Sequence, residues 1–232
     1  SRYDEIYCEW APNEKVATET AIGASIAGSR AFSGMKHVEL NVAADPLYTA
    51  SYTGVNGGLL IGVADDPGMH SSQNEQDSRH HAIAAKLAML EPADSAECLE
   101  YTKLAYTLSE EFDTPVMLRL TTRIAHSRSL VEEQEPQQPE EREFDKNPQK
   151  YVMMPAMAIK RHAVIEERQR KLQEYAETAD INRIEDHGAK IGVIAAGICY
   201  QYAREALGEK ANYLKLGMVN PLPVEKIREF AK

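Results

Sequence analysis

Between residues 6 and 123, short β-rich apolar runs alternate with longer stretches in which apolar side chains return every three or four positions. That alternation is the sequence form of an α/β fold, a parallel sheet with helices on both faces. The runs at 6–9, 31–35, 59–64, 88–90 and 116–120 predict strands, and the periodic stretches at 13–30, 41–52, 79–86 and 94–112 predict helices. In the last of these, Cys98, Tyr101, Ala105, Leu108 and Phe112 form one apolar stripe. Asp94, with Glu97 three residues on, supplies its cap.

From 131 to 150 the pattern breaks, with seven acidic residues, three basic ones, three prolines and almost nothing apolar. This composition predicts a linker or solvated arm. A charged helix is expected over 158–179, with an apolar stripe so thin that it reads as a bridge over the surface. The α/β rhythm then resumes: strand 190–195, helix 197–207, strand 213–216, helix 224–231. Two strands do not make an independent open sheet covered on both faces, so the chain is expected to be a piece of a longer polypeptide. The expected units are 1–128, a linker at 129–157, a bridging helix at 158–188, and the start of a second α/β unit at 189–232.

Composition narrows the partners. Hydrophobic residues make up 43% and charged residues 27%, the balance of a globular protein. A formal charge of -10 repels a phosphate backbone unless the basic residues gather on one face, which argues against nucleic acid. No apolar run approaches the ~20 residues of a membrane span, and the first residues do not have the form of a signal peptide, so a cytoplasmic protein is expected. Cys8, Cys98 and Cys199 stand far apart with no C-x-x-C pair, which predicts free thiols rather than a zinc or iron–sulfur site.

Four places hold candidate chemistry. The 13–28 segment carries small residues at Ala17, Ala21, Ala24 and Gly28, a flat stripe that admits another backbone or a flat ligand, though close helix-to-sheet packing is the plainer account. Glu14 lies in its first turn behind Asn13, where a carboxylate is favoured by the helix dipole in any case. Lys36 and His37 follow a predicted strand, the edge where catalytic groups gather in open α/β sheets, and would donate protons or hold a carboxylate; a solvated loop is the plainer account. The long polar segment 64–77, with Asp65, Asp66, His70, Ser71, Gln73 and Asn74, is aimed at the same edge, as are Thr121, Thr122, Arg123 and His126. Asp65, Asp66 and His70 fall short of a metal ligand set, so no metal is expected on them. G-x-x-x-x-G-K, G-x-G-x-x-G and G-x-S-x-G are all absent, so a phosphorylated ligand would need another domain to hold its phosphates.

The sequences at 13–17 (NEKVA), 35–38 (MKHV), 40–47 (LNVAADPL), 64–77 (ADDPGMHSSQNEQD) and 216–219 (LGMV) together resemble the large subunit of the indolepyruvate:ferredoxin oxidoreductases, in order and over nearly the whole chain except the linker. The resemblance implies a thiamine diphosphate enzyme that oxidatively decarboxylates arylpyruvates such as indole-3-pyruvate to the acyl-CoA, with ferredoxin as electron acceptor. It implies a pyrimidine-binding domain up to about residue 128 and the start of a transketolase-C-terminal-like domain from 189. Glu14 then stands where the family's glutamate hydrogen-bonds N1′ of the aminopyrimidine, a contact that favours the imino tautomer needed to deprotonate C2 of the thiazolium. Lys36 and His37 resemble the loop near the reacting carbon, and His70, Ser71, Gln73 and Asn74 the substrate wall. The G-D-G motif that holds the diphosphate and Mg²⁺, and the cysteine runs that hold iron–sulfur clusters, do not occur in these 232 residues. The family implies a small (beta) subunit as partner, and the flat helix predicts self-association. A related oxidoreductase for another 2-oxoacid and a noncatalytic α/β interaction module are the alternatives; only an enzyme needs Glu14.

Overall fold

The computed structural model describes residues 6–136, 138–139 and 142–232. The first five residues of the first expected unit, and positions 137, 140 and 141 of the expected linker, lie outside the described residues.

Helix α1 (Glu14–Ala27) is capped by the Asn13 side chain, which accepts from the Val16 N–H at 3.0 Å, and ends at Gly28 with a left-handed φ of 109°. A Cβ at Gly28 would lie 2.0 Å from the Arg142 carbonyl oxygen, so glycine is required there for space as well as for φ. Strand β1 (Ala31–Lys36) follows, and helix α2 (His37–Thr53) begins without a loop. The expected start at 41 is therefore four residues late: Glu39 reaches back to accept from the Lys36 N–H at 2.8 Å and closes the first turn directly on the strand. Next come β2 (Leu59–Asp65), α3 (Arg79–Ala85), β3 (Ala88–Leu90), α4 (Ser95–Phe112), β4 (Val116–Thr121) and the short α5 (Thr122–His126). The Asp94 cap on α4 is as expected, but Glu97 turns its carboxylate to the Ala93 N–H rather than to Asp94.

The expected strand at 6–9 does not form. Ile6, Tyr7 and Trp10 are exposed, Trp10 fully, so the apolar side chains of this stretch are left uncovered by the described residues. Residues 127–147, where described, have no regular structure, as the composition predicts, yet the arm lies against the body. Arg142 donates to the Asn56 carbonyl at 2.7 Å, and Asn56 donates to the Glu143 carbonyl at 3.0 Å.

After the short α6 (Pro148–Tyr151), the long helix α7 (Pro155–Thr178) corrects the expectation of a surface bridge. Ile165, Leu172 and Ala176 are buried, and so is Arg168, which donates to the carbonyls of Asp113 at 2.8 Å and Ser51 at 2.7 Å. A charged side chain thus docks a helix whose apolar stripe is too thin to predict docking. The chain continues through β5 (Arg183–Glu185), β6 (Ile191–Ala196), α8 (Gly197–Leu207), β7 (Ala211–Leu216), β8 (Met218–Asn220) and α9 (Val224–Phe230).

Two sheets result. The first has the order β1-β2-β4-β3-β8, parallel except for β8; the second is β5-β7-β6. Helices cover both faces of the first sheet. Leu40, Ala43 and Leu47 of α2 and Ala21 of α1 pack on Ile61, Val63 and Met117, while Tyr101, Ala105 and Leu108 of α4 and Leu172 of α7 pack on Leu60, Val116 and Leu118. Strand β8 was not foreseen. Leaving β7 of the second sheet, the chain passes through Gly217 alone and pairs antiparallel with β3 of the first. At Gly217 a Cβ would lie 2.5 Å from the Tyr101 hydroxyl, and the Gly217 and Met218 N–H groups both donate to Asn182 Oδ1.

Candidate functional site

The helices run back along the strands, so the ends of β1, β2 and β4 and the start of α1 share one edge of the first sheet. There the 66–78 loop is fastened by buried carboxylates. Asp65 accepts from the Ser78 N–H at 3.0 Å, from the Ser78 hydroxyl, and from Arg119 Nε at 2.7 Å. Arg119 also pairs with Glu91 at 2.8 Å, and all three side chains are buried. Asp66 accepts from the His70 N–H at 3.1 Å, the Ser71 N–H at 2.8 Å and the Thr122 hydroxyl at 2.7 Å. The Ser71 N–H first, then the Thr122 hydroxyl, hold the Asp66 carboxyl far below the usual carboxylate range. Burial pushes Asp77 up, but Arg79 and then the Arg119 charge outweigh it and leave Asp77 at about 2.

The structure brings four of the sequence-predicted residues together in two pairs. Lys36 Nζ donates to the Ser71 carbonyl at 3.1 Å and to the Ser71 hydroxyl at 3.0 Å. His37 is fully buried, with Nε2 2.9 Å from the Asn74 carbonyl oxygen; a carbonyl only accepts, so Nε2 carries a proton. Both contacts hold the loop to the end of β1. Gln73 is exposed on the same loop. Glu14 stands apart in the first turn of α1, half-buried, and its carboxylate has no hydrogen-bond or ion-pair partner among the described residues.

His70 turns into a cavity of about 480 Å³ that it lines with Thr122, Arg123, His126, Ile198 and Tyr202. The lining joins the apolar Ile198 and the Tyr202 ring to a guanidinium and two imidazoles, a combination suited to an organic anion with an apolar body. Ile198 and Tyr202 lie on α8, so both sheets contribute to this cavity.

The chain is 43% identical over 232 residues to the indolepyruvate oxidoreductase subunit IorA of Archaeoglobus fulgidus, a match covering 97% of this chain and 37% of that protein. The IorA subunit of Methanothermobacter marburgensis is 44% identical over 231 residues, with the same coverage of each. The aligned residues resemble part of an IorA subunit. It spans about 37% of the length of these curated relatives. No family model matches the chain. Among solved structures, a 2-oxoglutarate:ferredoxin oxidoreductase from Magnetococcus marinus, determined with 2-oxoglutarate, coenzyme A and succinyl-CoA bound, superposes with a TM-score of 0.70 at 15% identity over 95% of this chain and 47% of that one. That likeness is one of fold. The resemblance and the α/β fold expected from the sequence both stand. No described helix is long and apolar enough to cross a membrane.

Sequence reading missed two things in this fold. The Asp65–Arg119–Glu91 cluster draws its members from the end of β2, the body of β4 and the residue after β3, and nothing in their spacing marks them as neighbours. Ile198 and Tyr202 lie on α8, which follows β6 of the other sheet, so their place beside Arg123 is set by tertiary structure; the one available signal was that Thr122, Arg123 and His126 follow a strand at the same edge.

Proposed function

We propose that this chain supplies the pyrimidine-binding and substrate-facing part of a thiamine diphosphate-dependent oxidoreductase that decarboxylates arylpyruvates, indole-3-pyruvate foremost, to the acyl-CoA with ferredoxin as acceptor. The observation that carries the reading is Glu14. A half-buried carboxylate without a partner among the described residues, on a helix start at the sheet edge, is free to accept a ligand's N–H. The fit to the aminopyrimidine is chemical: its N1′ needs an anionic acceptor and Glu14 offers one. When bound, thiamine diphosphate supplies the nucleophilic carbon and the electron sink of the decarboxylation.

The cavity has room for an aryl side chain, and Arg123, His126 and His70 are the groups suited to the 2-oxoacid carboxylate. Lys36 and His37 serve this site by holding the loop that carries His70. We assign the diphosphate, Mg²⁺ and iron–sulfur ligands to the rest of a full-length protein, which acts in the cytoplasm with CoA, ferredoxin and a small subunit, and we retain residues 1–128 and 189–232 as the two domains joined at the cavity. In the full-length enzyme, Glu14→Gln should abolish indole-3-pyruvate-dependent reduction of a viologen dye while the circular dichroism spectrum stays native. Turnover within tenfold of the parent would sink the assignment, because an amide cannot replace the acceptor charge.

A further inference from the structure

Asp66 is nearly inaccessible to solvent, and its carboxylate bonds to both segments that supply the cavity lining, the 66–78 loop and α5. Oδ2 accepts from the Ser71 N–H and Oδ1 from the His70 N–H, both on the 66–78 loop; Oδ1 also accepts from the Thr122 hydroxyl, on the first residue of α5 and next to Arg123. The Thr122 hydroxyl lies 3.3 Å from the Asp65 carbonyl as well, so its proton has a choice only between β2 and its loop. One carboxylate therefore ties His70 to the turn that presents Arg123 and His126.

We infer that Asp66 is a positioning residue that, through Thr122, sets the distance between the His70 and Arg123 walls of the cavity and thereby its affinity for a 2-oxoacid. This rests on the reading of the cavity as the 2-oxoacid pocket. The geometry separates two tasks: Asp66 shapes the loop through backbone N–H groups, and its bond from the Thr122 hydroxyl joins that loop to α5. Ionisation of Asp66 suits the task, since only a carboxylate can accept from three donors at once without presenting a donor of its own. In Asp66→Asn the amide would set an N–H against an N–H on one side.

The test uses the full-length enzyme with its small subunit and the variants Thr122→Val, Thr122→Ser and Asp66→Asn, read in two ways. Hydrogen–deuterium exchange of peptides spanning 66–78 reports the clamp without any need for activity; steady-state kinetics with indole-3-pyruvate report the pocket. Thr122→Val should speed exchange in the loop by about three- to tenfold, the loss of one hydrogen bond, and raise KM by a similar factor with a smaller change in kcat. Thr122→Ser, which keeps the hydroxyl, should restore both, and Asp66→Asn should exceed Thr122→Val in exchange. Unchanged exchange in Thr122→Val overturns the clamp. Faster exchange with unchanged KM overturns its role in the pocket, and so does a KM loss that serine does not restore. A parent enzyme that turns over no arylpyruvate defeats the proposed function instead, and the exchange data then decide the clamp alone.

Discussion

Replacing Lys215 by methionine keeps the length of the side chain and removes its charge from a site closed to solvent. Lys215 Nζ donates to Glu97 Oε1 and, at 2.9 Å, to the Tyr101 hydroxyl, and it stands 5.2 and 5.6 Å from the ring centres of Tyr101 and Tyr200. Burial pulls the lysine's proton affinity down and Glu97 pulls it up; burial wins, so the ammonium is held below its ordinary value. The pair is thus costly to bury and costlier to break. Removing one partner of a buried ion pair destabilises by about 3–5 kcal/mol. Glu97 keeps the Ala93 N–H at 2.8 Å and has Arg183 at 3.5 Å, which places the loss near the lower end, about 3 kcal/mol. For a chain of this size that lowers Tm by roughly 6–12 °C. Because burial wins, the double variant Lys215→Met/Glu97→Gln should return to within about 1 kcal/mol of the parent. Urea unfolding followed by circular dichroism reads both values; Trp10, being fully exposed, is a poor fluorescence reporter. A loss below about 1 kcal/mol in Lys215→Met, or strictly additive effects in the double variant, would refute the assignment of a coupled buried pair.

Two further outcomes follow from titrating groups. Burial first, then the negative charges of Asp94 and Glu97, raise the Cys98 thiol to about 11, which leaves about 0.1% thiolate at pH 8; iodoacetamide should label the exposed Cys8 and Cys199 in the native protein, with Cys98 modified only after unfolding, as peptide mass spectrometry can show. Asp77, at about 2 when folded against 3.8 when free, binds its proton less readily in the native state, so its stabilisation is present above pH 4 and is lost as pH falls towards 2. Discounted for solvent screening, that is about 1 kcal/mol: Asp77→Asn should be less stable than the parent by this amount at pH 5 and equal to it near pH 2, and a urea-midpoint difference independent of pH would contradict the ion pair with Arg79.

The parallel sheet was legible because β2 and β4 are continuous apolar runs and α4 carries a clean stripe with its Asp94 cap. Failures came where tertiary partners decide. The 6–9 run has strand-forming residues but nothing to lie on, and α7 is docked by Arg168, which composition counts as surface. Strand β8 is three residues long, too short to carry a period. Lys36, His37, Ser71 and Asn74 stood out in the sequence because they sit after strands and in one long polar loop. Their pairing was not visible, since the loop folds back through Asp65 and Asp66, whose partners Ser78, Arg119 and Thr122 lie 13, 54 and 56 residues away.

The passage from β7 to β8 through one residue makes the two sheets stitches of a single thread. A domain that swings needs slack between its halves, and Gly217 leaves none: its carbonyl accepts from the Glu91 N–H at 2.8 Å and its N–H is held by Asn182. Opening the cleft between α5 and α8 would first have to unzip β8 from β3. The α5 and α8 walls of the cleft are therefore held to one another through the β3–β8 pairing and through Gly217.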